Sequence, residues 1–238
     1  MSARVALLRM QEDGLLSLPA PTHSYTPARG AVFTAASDPQ PEVRVSNSDM
    51  ASLMLHRVST AADSKLWNEW VARYHYLGYR PLPGAQIRYM VKHGDTLLAA
   101  LGFSAAAWKV AARDSWIGWT PDERTAHLHF VVNNARFLIL PWVHVPNLAS
   151  RILSLAARQV VRDWPRQYGY RPVLLETFVE RQRFSGTCYR AANWLYAGQT
   201  AGRGKLDRYH RGNRPVKDVY LYPLHRHFRR VLTAQETH

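Results

Sequence analysis

Cysteine is almost absent from this sequence, and its scarcity excludes two kinds of stabilising site. The 238 residues include one cysteine, Cys188. A single thiol forms no disulfide within the chain and cannot build a zinc site from several cysteines. We therefore expect a protein of a reducing compartment, the cytoplasm, and we expect Cys188 to be a small buried apolar residue.

Long apolar runs and nucleotide-binding glycine motifs are also missing. No stretch approaches the roughly 20 apolar residues that a membrane-spanning helix needs, and the N-terminus has no secretion signal. Neither a GxxxxGKS/T phosphate loop nor a GxGxxG turn occurs, so nucleotide hydrolysis loses its main support. These absences favour a soluble intracellular protein with no membrane partner.

Acidic residues are scarce beside basic ones. The chain has 17 Asp and Glu against 31 Lys and Arg, which gives a formal net charge of +14 at pH 7. Because 47% of the residues are hydrophobic, the charge belongs to a folded protein and not to a disordered polycation. Such an excess predicts a polyanionic partner, nucleic acid before membrane, with an acidic protein partner as the alternative.

Composition divides the chain near its N-terminus. Residues 1–18 carry apolar residues at helical spacing with a stop at Gly14, which indicates a helical remnant of a longer segment. Residues 19–42 are rich in Pro, Ser and Thr and are expected to form an extended linker. We place one α/β domain with a basic C-terminal segment over residues 43–238, starting near Val43.

The first half of this domain shows strand patterns. Residues 86–93 and 96–108 alternate or run apolar and are joined by a glycine turn, which indicates a hairpin. Two further apolar strands are expected on either side of Asn133 and Asn134.

The second half begins with the clearest helix of the sequence. Apolar residues recur at three- and four-residue steps from Leu148 to Trp164. A buried strand over 171–180, a short helix over 184–194 and two closing strands follow. The fold class is therefore α/β or α+β, a mixed sheet flanked by helices.

This succession, from "RFLIL" through the long helix to "LYAGQT", resembles the second half of the Gcn5-related N-acetyltransferase fold. In that family the loop before the long helix and the helix N-terminus present backbone N–H groups to a pyrophosphate. The resemblance implies Asn147 as the helix N-cap, Ala149 and Ser150 in the first turn of a cofactor site, and acetyl-coenzyme A as a possible cofactor.

The loop before the long helix departs from the family pattern. The family places closely spaced glycines there, whereas this sequence has no glycine between Trp119 and Gly169. Side chains of His144, Val145 and Pro146 occupy the positions where glycines would let phosphates approach the backbone, which argues against tight cofactor binding by the usual route.

Tyr189 occupies the position where such acetyltransferases often place a tyrosine that protonates a leaving thiolate. The resemblance thus implies Tyr189 as a general acid, and Glu176 could serve as the base if burial raised its pKa. The alternative is that Tyr189 is an interior tyrosine with a satisfied hydroxyl.

A second resemblance covers nearly the whole chain. The blocks "YHYLG", "LGFSAAAW", "NNARFLILPWV", "LLETFVE" and "FSGTCYRAANW" are similar to the DruA family of Druantia anti-phage systems, whose domain also occurs with bacterial transposases. The resemblance implies a role in defence loci or mobile elements, association with DNA, and a helicase or transposase as a possible protein partner. It implies no particular reaction.

The stretch "ARDSWIGW" combines charge with aromatic rings. It could form a charged pocket wall that stacks a flipped or single-stranded base, or it could be a structural Arg-Asp pair among core tryptophans. The residues assigned to this cleft are Arg113, Asp114, Trp116, Trp119 and Arg136.

Two histidines raise a metal hypothesis. His127 and His129 alternate with apolar residues, so they would share one strand face and could bind a metal with Asp114 or Glu176. No further ligand has diagnostic spacing, and we assign no metal site. A metal-dependent nuclease is therefore the last of three functional hypotheses.

The strongest physical signal for function lies after Gly202. From there to Arg230, Lys and Arg outnumber Asp and Glu nine to two, with tyrosines interleaved, a combination that suits phosphates and bases. The alternative is an ordinary solvated segment. The predicted phosphate contacts are Arg203, Lys205, Arg208, Arg211 and Arg214. Nucleic-acid binding is the first functional hypothesis, and acyl-coenzyme A-dependent N-acylation is the second.

Overall fold

A computed structural model of the chain describes residues 10–17, 33–44, 52–202 and 215–234. The chain divides into two units, Met1–Val32 and Phe33–His238. In the first unit residues 10–12 are helical, and Gly14 adopts a φ of 71° as the chain turns. The predicted stop at Gly14 is thus confirmed, while residues 1–9 and 18–32 lie outside the described residues.

One mixed sheet organises the second unit. Its seven strands lie in the order β1-β2-β3-β4-β5-β7-β6. All neighbouring strands are antiparallel except β4 and β5, which are parallel. The strands are β1 Leu53–Arg57, β2 Gln86–His93, β3 Thr96–Ala105, β4 Val131–Ile139, β5 Leu174–Glu180, β6 Leu195–Gln199 and β7 Lys217–Pro223.

Helices cover both faces of this sheet. The longest, α4, buries the apolar stripe predicted from its spacing, including Ile152, Ala156 and Val160, and ends at Gly169 with a φ of 78°. No described helix is long and apolar enough to cross a membrane. The helices are α1 Ala61–Tyr74, α2 Ala111–Ile117, α3 Pro121–His127, α4 Leu148–Tyr168, α5 Thr187–Ala191 and α6 Phe228–Leu232. The predicted mixed sheet flanked by helices is therefore confirmed.

The sheet opens between its two parallel strands. β4 and β5 are paired only from Val131 to Asn133 and from Leu174 to Glu176. Beyond these residues each strand continues, β4 to Ile139 and β5 to Glu180, without a shared ladder. An opening in the middle of the sheet follows, and it positions the candidate site.

The prediction of two strands around Asn133 and Asn134 was wrong, because both asparagines lie within the single strand β4. The amide of Asn134 donates to the carbonyls of Gly102 (3.4 Å) and Arg136 (3.2 Å), and the β3–β4 register shifts at Gly102. An asparagine whose amide is satisfied inside the sheet does not need a turn.

Two features near the start of the domain differ from the expectation. Strand β1 was not predicted, because it is a short, half-exposed edge strand. Val43, the predicted start of the core, forms an isolated parallel bridge with Val143.

Part of the predicted linker over 19–42 packs against α1. The backbone N–H and hydroxyl of Thr34 each donate to Glu69 at 2.8 Å, and the Tyr74 hydroxyl donates to the Ser37 carbonyl at 2.8 Å. Ser37 is fully buried. Residues 33–44 thus belong to the second unit, despite a composition typical of linkers.

Candidate functional site

A cavity of about 470 Å³ lies where β4 and β5 part. Its walls come from Asn133–Ile139 of β4, Thr177–Val179 of β5, the start of α4 and α5, and the segment after α1. The volume is within the about 300–1,000 Å³ of small-molecule sites. This is the main concave surface that the sheet opening creates.

Positive and neutral polar groups share this cavity. Arg136, Lys217 and His75 line it, and none of the described lining residues is Asp or Glu. Burial, together with the charges of Arg136 and Lys217, lowers the pKa of His75 from 6.5 to about 4. The Leu77 N–H donates to Nδ1 of His75 at 3.2 Å, as a neutral ring allows. The cavity is therefore suited to an anion.

Two buried polar atoms at the cavity find no hydrogen-bond partner among the described residues. They are Oδ1 of Asn133 and Nε of Arg136. An unsatisfied buried polar group costs about 1–3 kcal/mol, so these two atoms lower the stability of the cavity wall.

Tyr189 lies in the cavity wall within a hydrogen-bond network. Its hydroxyl donates to Oδ1 of Asn134 at 2.9 Å and lies 3.3 Å from Oγ1 of Thr177. The ring stacks on Tyr220 with centroids 5.9 Å apart. Burial raises the pKa of Tyr189, so the hydroxyl stays protonated and can act as a donor. Cys188, the neighbouring residue, was predicted to be buried, but it is half-buried and lines the same wall.

Glu176 lies on the other side of β5. Its carboxylate accepts from Nη1 of Arg113 at 2.8 Å and from the Ala107 N–H at 2.8 Å. Arg113 also pairs with Asp114 at 2.7 Å. Burial raises the pKa of Glu176, while Arg113 and the Ala107 N–H oppose the shift. Because strand residues alternate between faces, the structure does not bring Glu176 and Tyr189 together as a base and acid pair.

The predicted charged pocket wall divides between two places. Arg113 is fully buried in α2, where its guanidinium lies 5.4 Å from the ring centre of Trp119. Trp116 stacks on Phe228 at 5.2 Å. The alternative interpretation, a structural Arg-Asp pair among core tryptophans, therefore describes this stretch. Of the residues assigned to the cleft, Arg136 lines the cavity.

The start of α4 borders the cavity through Ala149. Asn147 is the N-cap as predicted, in a left-handed conformation with a φ of 61° and no side-chain cap bond, and the Ser150 hydroxyl donates to the Asn147 carbonyl at 3.0 Å. The three residues proposed for a cofactor site are thus contiguous at the helix start.

Backbone N–H groups of the preceding loop are already used within the protein. The His144 N–H donates to Val43 (2.9 Å), the Val143 N–H to Leu140 (3.0 Å), and the Leu148 N–H to Val145 (3.3 Å). Pro141 and Pro146 have no N–H to offer. These residues do not fit a pyrophosphate that is held by loop amides in the manner of the acetyltransferase family.

The histidines of the metal hypothesis do not share a strand. His127 ends α3 and His129 lies in the 3-10 turn that follows it, so the predicted common strand face was wrong. Within the described parts of the chain, no three His, Cys, Asp or Glu side chains are grouped so as to hold a metal ion.

The five predicted phosphate contacts between residues 203 and 214 lie outside the described residues. Among the described residues on either side, Gln199 ends β6 and Lys217 begins β7. Lys217 lines the cavity, and Gln199 lies opposite Asp218 in the β6–β7 ladder.

Sequence reasoning missed several cavity residues. His75 follows α1, Thr177 lies beside the residue chosen as a base, and Asn133 and Asn134 were interpreted as a break between strands. The doubled asparagine inside an apolar run was the available signal, since buried amides need a structural or functional reason.

Comparison with known proteins gives one family and several distant structures. The family model described as "Druantia protein DruA" matches residues 9–212. No curated protein matches the chain.

Among solved structures, a mutant of the spermidine N-acetyltransferase SpeG from Vibrio cholerae matches at 10% identity and a TM-score of 0.46, over 73% of this chain and 95% of that one. The aminoglycoside acetyltransferase AAC(6')-Ib, in complex with coenzyme A and kanamycin, matches at 12% identity and 0.47, over 72% and 95%. An N-acyl amino acid synthase, FeeM, from uncultured soil microbes matches at 12% and 0.44, over 76% and 94%. Similarity at this level carries no information on activity.

Proposed function

Because the chain belongs to the DruA family, we propose that it is a nucleic-acid-binding component of an anti-phage defence system or a transposon-associated locus. The same membership supports a helicase or transposase as its protein partner. The chain itself contributes the electrostatic attraction to the phosphate backbone.

The cationic lining of the cavity is the observation that carries this proposal. Arg136 and Lys217 lie together at the sheet opening beside the neutral His75, and no described lining residue is acidic. The formal net charge of +14 adds long-range attraction for a polyanion. Basic residues bind nucleic acid by releasing the counterions condensed on phosphates.

The salt dependence of binding tests this function. Fluorescence anisotropy with labelled single-stranded and duplex DNA should show an affinity that falls steeply as salt rises from about 50 to about 200 mM. Replacing Arg203, Lys205, Arg208, Arg211 and Arg214 by Ser should flatten the slope by about 0.7 per lost contact for a single strand. Each single replacement at these positions is compared with Arg158→Ser on the exposed face of α4, which removes the same one charge. Affinity that does not change with salt would refute the proposal.

An acyl-coenzyme A-dependent N-acyltransferase is the second candidate. It is favoured by the position of Tyr189 and Ala149 in one cavity at the start of α4. A tyrosine hydroxyl that stays protonated can donate a proton to a leaving group. Two observations argue against an acyltransferase. Backbone N–H groups of the loop before α4 already donate within the protein, and the carboxylate of Glu176 is paired with Arg113.

Calorimetric titration with acetyl-coenzyme A separates the two candidates. We expect no saturable heat, because the loop offers neither glycines nor the amides already bonded to Val43 and Leu140. Saturable binding at micromolar concentration would place the acyltransferase first, and Tyr189→Phe would then be the variant to assay for turnover.

A further inference from the structure

A second depression lies next to the cavity, and its lining combines exposed aromatic rings with arginines. This groove, of about 570 Å³, is lined by Arg181, Phe184, Ser185, Arg190, Tyr196, Gln199, Asp218 and Tyr220. Phe184 lines both the groove and the cavity, so the two are adjacent.

The aromatic residues of the groove present their rings to solvent. Tyr196 is 52% exposed and Phe184 is 48% exposed. Tyr196 packs edge-on against Tyr220 with centroids 5.7 Å apart, and Phe184 packs in the same way against Tyr76 at 5.2 Å. Each ring is therefore held by a neighbour while one surface remains open for stacking.

Two arginines flank these rings. Arg190 donates to the Ser185 carbonyl (2.9 Å) and to the Tyr220 hydroxyl (3.3 Å), so its position is set while its side chain is exposed. Arg181 is exposed and makes no hydrogen bond or ion pair with the described residues. Asp218, the one acidic residue among the described lining residues, is buried and accepts from the Gln199 amide at 3.2 Å. The accessible charge of the described lining is therefore positive.

We propose that this groove binds single-stranded nucleic acid, with bases stacked on Tyr196 and Phe184 and phosphates at Arg181 and Arg190. The proposal rests on the proposed function and specifies its substrate class. Exposed rings stack on unpaired bases, and duplex bases are already stacked and paired, so the groove selects single strands. The positive charge complements phosphates and is unsuited to a basic partner.

The test compares substitutions at adjacent, equally exposed positions of β6. Tyr196→Ala removes a groove ring, and Leu195→Ala removes a side chain that is 47% exposed on the same strand but does not line the groove. Binding is measured by anisotropy with an unstructured single-stranded DNA and with a duplex of the same sequence. Loss of one stacked base is worth about 1–3 kcal/mol, which corresponds to a loss of affinity of about 5- to 150-fold for the single strand.

We expect Tyr196→Ala and Phe184→Ala to lose single-strand affinity to this extent and to keep duplex affinity within about twofold. Leu195→Ala should bind as wild type, and Tyr196→Phe should restore the affinity because a phenyl ring stacks as well. Fluorescence of 2-aminopurine in the strand should be quenched by wild type and not by Tyr196→Ala.

Three results would overturn the proposal, and they differ in what else they affect. If Tyr196→Ala and Phe184→Ala bind the single strand as wild type does, the groove is not the binding site. The proposed salt-dependent binding of nucleic acid is then unaffected. Equal losses for strand and duplex refute single-strand selection. Loss of self-association with unchanged strand binding assigns the rings to a protein interface. If wild type binds neither strand nor duplex, the proposed function fails as well.

Discussion

Glu176 and Thr177 are neighbours in β5, yet their side chains enter two opposite kinds of polar environment. On the Glu176 face, the guanidinium of Arg113 in α2 pairs with the carboxylates of Glu176 and Asp114, and the side chains of Arg113 and Glu176 are fully buried. On the Thr177 face, Arg136 and Lys217 line an open cavity without a described acidic lining residue. This difference indicates that the cluster of Arg113 and its two carboxylates stabilises the fold, whereas the cations of the cavity are available to bind a ligand.

The largest effect is expected when the closed cluster loses its cation. Arg113→Met leaves the fully buried Glu176 carboxylate without its partner, and breaking a buried pair costs about 3–5 kcal/mol. The free energy of unfolding from urea titration measures this loss. Adding Glu176→Leu should recover most of it, because a well-packed apolar pair replaces the ion pair.

The same substitution on the cavity face provides the matched control. Arg136→Met should change the free energy of unfolding by less than about 1 kcal/mol, since the buried Nε already lacks a partner among the described residues. It should instead lower the affinity for DNA. Similar destabilisation by the two Arg→Met variants would contradict the proposed division of roles.

A second prediction concerns the wall between cavity and groove. Gly186 has a φ of 69°, and a Cβ atom there would lie 2.5 Å from the Tyr220 hydroxyl oxygen. Gly186→Ala should therefore cost about 2–3 kcal/mol, from the left-handed backbone and from displacement of a packed ring. Gly169→Ala is the control. Gly169 has a φ of 78°, and a Cβ atom there would have no other atom within 4 Å, so only the backbone cost of about 1–2 kcal/mol applies. If urea titration gives the two variants the same loss of unfolding free energy, the Tyr220 ring moves aside at no measurable cost, and the prediction is wrong.

The third prediction sharpens the role of the cavity network. Tyr189→Phe removes the donor to Asn134 and should cost about 1 kcal/mol of unfolding free energy. Tyr196→Phe removes an exposed hydroxyl and should cost nothing measurable. A larger loss at Tyr196 than at Tyr189 would contradict the assignment of a structural bond to the buried hydroxyl.

The sequence predicted the parts of this site that depend on local pattern. Helix α4 and the short helix that carries Tyr189 follow from apolar spacing and chain order, and the N-cap at Asn147 was implied by the acetyltransferase resemblance. These features need no knowledge of distant residues.

The pairing partners could not be predicted in this way. Arg113 meets Glu176 across 63 positions of sequence, and the choice of which face of β5 opens into the cavity depends on where β4 departs. His75 reaches the cavity because α1 packs across the sheet. No local pattern identifies such contacts, because they arise when the whole sheet assembles.

A further prediction is a pH dependence confined to the cavity face. The folded protein lowers the pKa of His75 from 6.5 to about 4, through burial first and through Arg136 and Lys217 next. Between these pH values the unfolded chain binds more protons, so the contribution of His75 to stability is complete above pH 6.5 and is lost as pH falls toward 4. Unfolding free energies of wild type and His75→Gln should therefore converge as pH is lowered.

Replacing a cation near His75 tests whether the two faces of β5 are electrostatically separate. Arg136→Met should make this loss of stability smaller and end it at a higher pH, because one of the two charges that oppose protonation of His75 is gone and the pKa of His75 in the folded protein rises toward 6.5. Arg113→Met should leave the pH range unchanged, since Arg113 belongs to the closed cluster with Glu176. A shift in both variants would mean that the charges on the two faces of β5 act on His75 as one field, and the separation argued from Glu176 and Thr177 would not hold.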